Sequence, residues 1–146
     1  MDIKQQADAL RLQGSPSAIL QAMDDFSDHQ DLLISIGSDK ARILKDMVVK
    51  QKPRVIVELG SYVGYSAILL GESMRLAASG AEAIHLWSLE YNPGFAAIAN
   101  ELVAIAGLSD VVTVITGAAE ASLRKLVADK QLVQIDLLFL DHDENL

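Results

Sequence analysis

Glu58, Gly60 and Gly64 stand close together in Val55-Ile-Val-Glu-Leu-Gly-Ser-Tyr-Val-Gly-Tyr-Ser66, where an apolar run breaks at two glycines before a helical pattern resumes at Ala67. Such a stretch reads as a buried parallel strand turning tightly into a helix. Glycine at position 60 lets the backbone take positive φ or approach a ligand closely, and the helix that follows offers unpaired amide groups. The spacing is G-x-x-x-G. A dinucleotide-binding turn would need a glycine where Tyr62 stands, and a P-loop would need Lys-Ser/Thr after its last glycine. On its own, a generic glycine turn of an α/β protein accounts for the stretch nearly as well as a cofactor turn.

Other polar residues recur at strand ends. Glu90 closes a second apolar run, Asp141-His142 closes the last, and Thr116-Gly-Ala-Ala-Glu120 follows the third, with Gly117 admitting close backbone approach. Ligands of an open parallel sheet bind beyond the carboxyl ends of its strands. A carboxylate at Glu90 can accept both ribose hydroxyl hydrogen bonds of an adenosine, and the competing reading is a solvated side chain at a strand end. His29 and His85 share no spacing with a second ligand, so both are expected to be structural. Trp87 and Phe139 lie in apolar strands and are expected in the core. The acidic run from Asp141 to Glu144 is expected to be a solvated tail, Asp141 excepted.

These residues need a scaffold of alternating strands and helices. From Arg54 onward, strands at residues 54–59, 84–89, 111–115 and 135–140 alternate with helices at 63–78, 92–106 and about 118–130. That rhythm implies a parallel sheet with helices on both faces. Before it lie a weakly amphipathic helix over residues 2–13 and a second helix with Ser15 as cap and Pro16 at its first position. The second helix carries Ile19, Leu20, Met23 and Phe26. The run Leu32-Leu-Ile-Ser-Ile36 follows, then a third helix capped by Ser38, carrying Ile43, Leu44, Met47 and Val48 and ended by Pro53. The chain divides into a helical cap, residues 1–53, and a partial α/β body, residues 54–146, of one domain. It stops just past its fourth strand, which leaves an apolar edge where a complete protein seldom ends.

The 146 residues suit one domain, and 51% apolar with 22% charged residues is a globular balance. Without cysteine, neither a disulfide framework nor a thiolate site can be built. A net charge of −8 disfavours nucleic acid and tolerates a cationic ligand. The N-terminus has no signal-peptide pattern, and no apolar run approaches the roughly 18 residues of a membrane span. A soluble, cytoplasmic, monomeric protein is expected.

Taken together, the motifs resemble those of the catechol O-methyltransferase family over nearly the whole chain. Glu58 to Ser66 is similar to the family's first motif, Gly14 to Met23 to its cap helix, and Ile36-Gly-Ser-Asp-Lys40 to its cofactor-covering turn. Leu89-Glu-Tyr-Asn-Pro93 resembles the ribose motif, Gly117-Ala-Ala119 the adenine loop, and Phe139-Leu-Asp-His142 the segment with the metal aspartate. The resemblance implies a Rossmann-like fold and transfer of a methyl group from S-adenosylmethionine to one hydroxyl of a catechol, with Mg2+ bound by both hydroxyls, as in catecholamine metabolism. It places Glu90 on the ribose, and Ser66, Tyr62 and the Gly60 backbone at the methionine end. Ile36, Tyr91, Gly117, Ala119 and His142 line the pocket, Glu58 lies beneath it, and Asp141 is a metal ligand.

The departures are specific. Glu144 stands at the family's lysine position and Asp143 at that of its adenine-packing tryptophan, and neither replacement keeps the charge or the apolar face. Ala119 replaces a serine, and Leu32 and Ile34 replace the tryptophan and methionine that wall the acceptor. The family's Asp-Asn metal pair and catechol-binding glutamate would follow Leu146. The departures cluster after His142, as a frameshift, a mis-spliced end or an engineered stop would produce. Negligible transfer by this chain alone is expected, with a non-catalytic cofactor-binding remnant as one alternative and an NAD-type protein, disfavoured by its missing glycine, as another.

Overall fold

A computed structural model describes residues 13–30 and 37–141 of the chain. The expected helix over residues 2–13, the run Leu32 to Ile36, and residues 142–146 with His142, Asp143 and Glu144 fall outside them, Gln13 excepted. The described chain runs α1 (Pro16–Gln30), α2 (Gly37–Gln51), β1 (Val55–Leu59), α3 (Tyr65–Ala77), β2 (His85–Glu90), α4 (Pro93–Ile105), β3 (Val112–Thr116), α5 (Ala119–Ala128) and β4 (Leu137–Leu140). Proline opens α1 and α4, where its missing N–H costs nothing. At α4 the Asn92 side chain accepts from the Gly94 and Phe95 amides, satisfying two donors that the first turn leaves unpaired. Helix α2 begins at Gly37, so Ser38 lies inside it and not at its cap.

The four strands are parallel, in the order β3-β2-β1-β4. The chain winds outward from β1 through β2 to β3, then returns to the other side of β1. That reversal makes a topological switch point between β1 and β4, where sheets of this kind leave a crevice at their carboxyl ends.

The two faces of the sheet are unequally covered. One face presents Ile56, Leu86, Val112 and Val114, and the main core forms there with Ile68 and Leu70 of α3, Ala99 and Leu102 of α4, Val48 of α2, and Ile19 and Met23 of α1. Gly71 of α3 lies so near the sheet that an added Cβ would sit 2.6 Å from Val112 Cγ2. The opposite face holds a smaller cluster of Val57, Leu89, Leu126 and Leu132 under α5. Leu138 and Leu140 of β4 stay about half exposed on that side. Phe139 and Trp87, expected in the core, are only partly buried because the one lies on the edge strand and the other on the thinly covered face. Ile43, expected on the buried stripe of α2, is exposed, while Val48 is fully buried.

Candidate ligand site at the carboxyl ends of the strands

The β1–α3 turn takes the left-handed conformation three times, at Gly60 (φ 94°), Tyr62 (φ 49°) and Gly64 (φ 96°). Glycine adopts it freely, but a tyrosine does so only when its surroundings hold it. They do. The Tyr62 amide donates to Glu90 Oε2 at 2.8 Å, and its ring meets Phe95 edge-on at 4.6 Å. The Gly60 amide donates to the Leu89 carbonyl, and the Gly64 amide to that of Ser61. Gly64 is the N-cap residue of α3, and no side chain caps that helix. Its first-turn amides are thus not taken by a capping side chain, at the end of the helix that favours negative charge.

Glu90 ends β2 and is buried. Its carboxylate holds the Tyr62 amide on one oxygen and the Asn92 amide on the other, each at 2.8 Å, so a single side chain fixes both the glycine turn and the entry to α4. The Gly117 amide, at φ 138°, donates to the Glu90 carbonyl and brings the β3–α5 loop beside it. Tyr91 is exposed beyond it. Ala119, the first residue of α5, is partly buried against the smaller core cluster.

Beneath the turn lies a polar knot that local spacing did not disclose. Glu58, fully buried, accepts from the Ser66 and Ser88 hydroxyls, and Ser88 also meets Ser61. Burial pushes the Glu58 carboxyl up to about 7 against the pull of the two serine hydrogen bonds, and the carboxylates of Asp141 and Glu90 push the same way. Ser66, expected at the methionine end, is therefore committed to Glu58 in this state. Ser61 and Ser88 were missed. The available signal was a serine at 88, alternating with Leu86 on the inward face of an apolar strand, where a polar side chain must find a partner.

Asp141 follows β4, exposed, with its amide on the Leu59 carbonyl across the switch point. Together with Phe139 and Leu140 it faces Lys40, Ile43 and Leu44 of α2 across a cleft of about 210 Å3. Among the described residues no group of three His, Cys, Asp or Glu side chains is placed to hold a metal ion. His85 bonds Thr113 at 2.9 Å and meets the Trp87 ring at a tilt of 53°, with burial lowering its pKa. The side chains of Ile36, His142, Glu144 and His29 lie outside the described part of the chain.

Parallel strands in this order, a glycine turn at the end of β1 and a buried acid at the end of β2 define the Rossmann-like methyltransferase fold. The O-methyltransferase family profile matches residues 15–146, and the chain belongs to that family. It is 36% identical to catechol O-methyltransferase of Bos taurus over 129 residues, 88% of this chain and 45% of that protein. To the transmembrane O-methyltransferase of Homo sapiens it is 33% identical over 132 residues, 90% of this chain and 43% of the other. The crystal structure of an O-methyltransferase from Bacillus cereus in complex with SAH superposes with a TM-score of 0.71 at 28% identity, covering 86% of this chain and 54% of that one. The chain spans about half the length of the curated relatives it matches. Among the described residues no helix is long and apolar enough to cross a membrane.

Proposed function

We propose that the chain forms the cofactor-binding part of an S-adenosylmethionine-dependent O-methyltransferase domain, residues 1–53 serving as its helical cap, and that the whole protein methylates one hydroxyl of a catechol. The observation that carries the reading is Glu90, a buried carboxylate at the end of β2 anchored by the Tyr62 and Asn92 amides on the rim of the glycine turn. Each of its oxygens has lone pairs left after one amide bond, which suits a ribose diol. The turn itself, with Gly60 and the uncapped start of α3, suits the carboxylate of an amino acid. Glu58 would lie beneath the methionine end, its two oxygens held by the Ser66 and Ser88 hydroxyls.

S-adenosylmethionine supplies an electrophilic methyl group that leaves a sulfonium sulfur by in-line displacement. The chain's residues contribute to such a reaction by holding the ligand still, and alignment alone can be worth roughly 7–11 kcal/mol. Tyr62, Ser66, Tyr91, Gly117 and Ala119 would complete the pocket, as would Ile36 and His142. Relatives named catechol O-methyltransferase, the bovine one among them, support a catechol as the acceptor. Magnesium fits the described residues poorly, because it demands near-octahedral oxygen coordination and Asp141 is a single carboxylate. No catalytic residue is assigned, since Glu144 stands at the family's lysine position.

Calorimetry of S-adenosylmethionine binding to the chain and to Glu90→Ala and Glu90→Gln tests the reading. Loss of a charged acceptor should weaken binding by about 1.5–3 kcal/mol per bond at most. Equal affinity of all three would remove the ribose assignment. A radiolabelled methyl-transfer assay with a simple catechol then separates binding with turnover from binding alone.

A further inference from the structure

The glycine turn is held from the strand side by Glu90, and it is also held from the outside by the helical cap. Tyr65, the first residue of α3 and the neighbour of Gly64, donates its hydroxyl to Asp24 Oδ2 of α1 at 3.1 Å. The two residues are 41 positions apart. Tyr65 is 9% exposed and packs in the main core, so its ring direction is set by its surroundings. Helix α1 has further attachments besides this bond: the Gly14 amide just before it donates to the Ile105 carbonyl at 2.8 Å, and Ile19 and Met23 are almost wholly buried in the core that α1 shares with α3. Asp24 therefore projects from a helix packed in the core onto the hydroxyl of the residue that follows the turn and opens α3. The next residue, Ser66, bonds Glu58.

We propose that Asp24 and Tyr65 form a positioning pair, by which the helical cap sets the glycine turn and the first turn of α3 in the conformation that receives the cofactor. The pair rests on the proposed function, because it acts on the same ligand site. It touches neither the ligand groups assigned above nor the reacting atoms. Its protonation pattern suits a positioning role. Burial, and then the Asp24 charge, push the Tyr65 hydroxyl up to about 12, so it remains a donor. Burial, with the Asp28 and Asp25 charges, raises the Asp24 carboxyl while the Tyr65 bond lowers it.

The test compares the 146-residue chain with Tyr65→Phe, Asp24→Ala, Asp24→Asn and the Tyr65→Phe/Asp24→Ala double variant. S-adenosylhomocysteine affinity is measured by calorimetry well below each unfolding midpoint, and stability by urea denaturation. Tyr65→Phe keeps the buried ring, so the variant should fold. The expected result is a loss of affinity of about 5- to 10-fold in Tyr65→Phe and in Asp24→Ala, with the double variant no worse than either. Asp24→Asn, which keeps an acceptor oxygen, should return to within about twofold of the parent. Affinities that stay at the parent value while stability falls would overturn the proposal and leave an ordinary structural bond. Additive losses, or no rescue by Asp24→Asn, would overturn it as well. No binding by the parent chain would instead remove the proposed function, and the positioning role with it.

Discussion

The Ser66 hydroxyl donates to a Glu58 carboxyl that has no exposed surface, and the Ser88 hydroxyl donates to its other oxygen. Two neutral donors are all that these contacts set against the loss of hydration, and the carboxylates felt there, Asp141 and Glu90, repel. Burial therefore wins, and the group is held at about 7 in the folded protein against 4.5 ordinarily. Between these values the folded chain keeps a proton that the unfolded chain releases. Stability is accordingly full below the ordinary value and is lost as pH rises through about 7. At 1.36 kcal/mol per unit the loss is about 3 kcal/mol. Urea unfolding at about pH 5 and about pH 8 should show most of that loss relative to Glu58→Gln, which has no proton to release. An identical pH slope in parent and variant would count against a buried neutral Glu58.

Gly64→Ala should damage the turn in two separable ways. The φ of 96° is left-handed, and an added Cβ would stand 3.1 Å from both Cα and Cβ of Ala99 on α4. A cost of about 1–3 kcal/mol is expected in urea denaturation. Ala99→Gly in the same chain should recover only part of it, because the crowding against the main chain of residue 99 and the left-handed backbone both persist. Complete recovery would show that the Ala99 side chain alone was responsible.

Most of the scaffold was legible because it is written in local pattern. Apolar runs flanked by glycine, Asn92-Pro93 and Gly107 placed β1 to β4 and the helices between them within a few residues. The turn at Gly60 and Gly64 and the acid at Glu90 were legible for the same reason, since a strand end and its next turn are sequence neighbours. The Ser61, Ser88, Ser66 and Glu58 knot and the Asp24–Tyr65 bond join residues 8 to 41 apart. No local period encodes such contacts. They depend on which elements become neighbours, as when parallel pairing sets Glu58 opposite Ser88 or α1 comes to lie on α3. The half exposure of Leu138 and Leu140 was equally invisible, because alternation tells which face a side chain takes but not what covers it.

Asp141 should bind magnesium weakly in this chain. The ion retains its waters unless several oxygen ligands replace them, and among the described residues Asp141 is the one acidic side chain of its cleft, opposite Lys40. Titration followed by calorimetry should show no saturation at low micromolar concentration. Tight binding abolished by Asp141→Asn would mean that further ligands come from outside the described residues.

The last prediction concerns the open edge at β4. That strand pairs with β1 alone, so one side of its backbone has no strand partner among the described residues, and Leu138 and Leu140 are 49% and 56% exposed on the face that α5 leaves bare. An exposed apolar edge is a template for pairing with another chain. The monomer expected from the sequence should therefore give way to association as concentration rises, visible by sedimentation or light scattering. Leu138→Lys with Leu140→Lys puts two charges on the edge, and like charges brought together across a shared edge repel. Both positions are exposed, so folding stability should change by no more than about 0.5 kcal/mol each. The double variant should remain monomeric at concentrations where the parent associates. A parent chain that stays monomeric throughout, or a variant that associates equally, would show that the edge is harmless as it stands or that association runs through another surface.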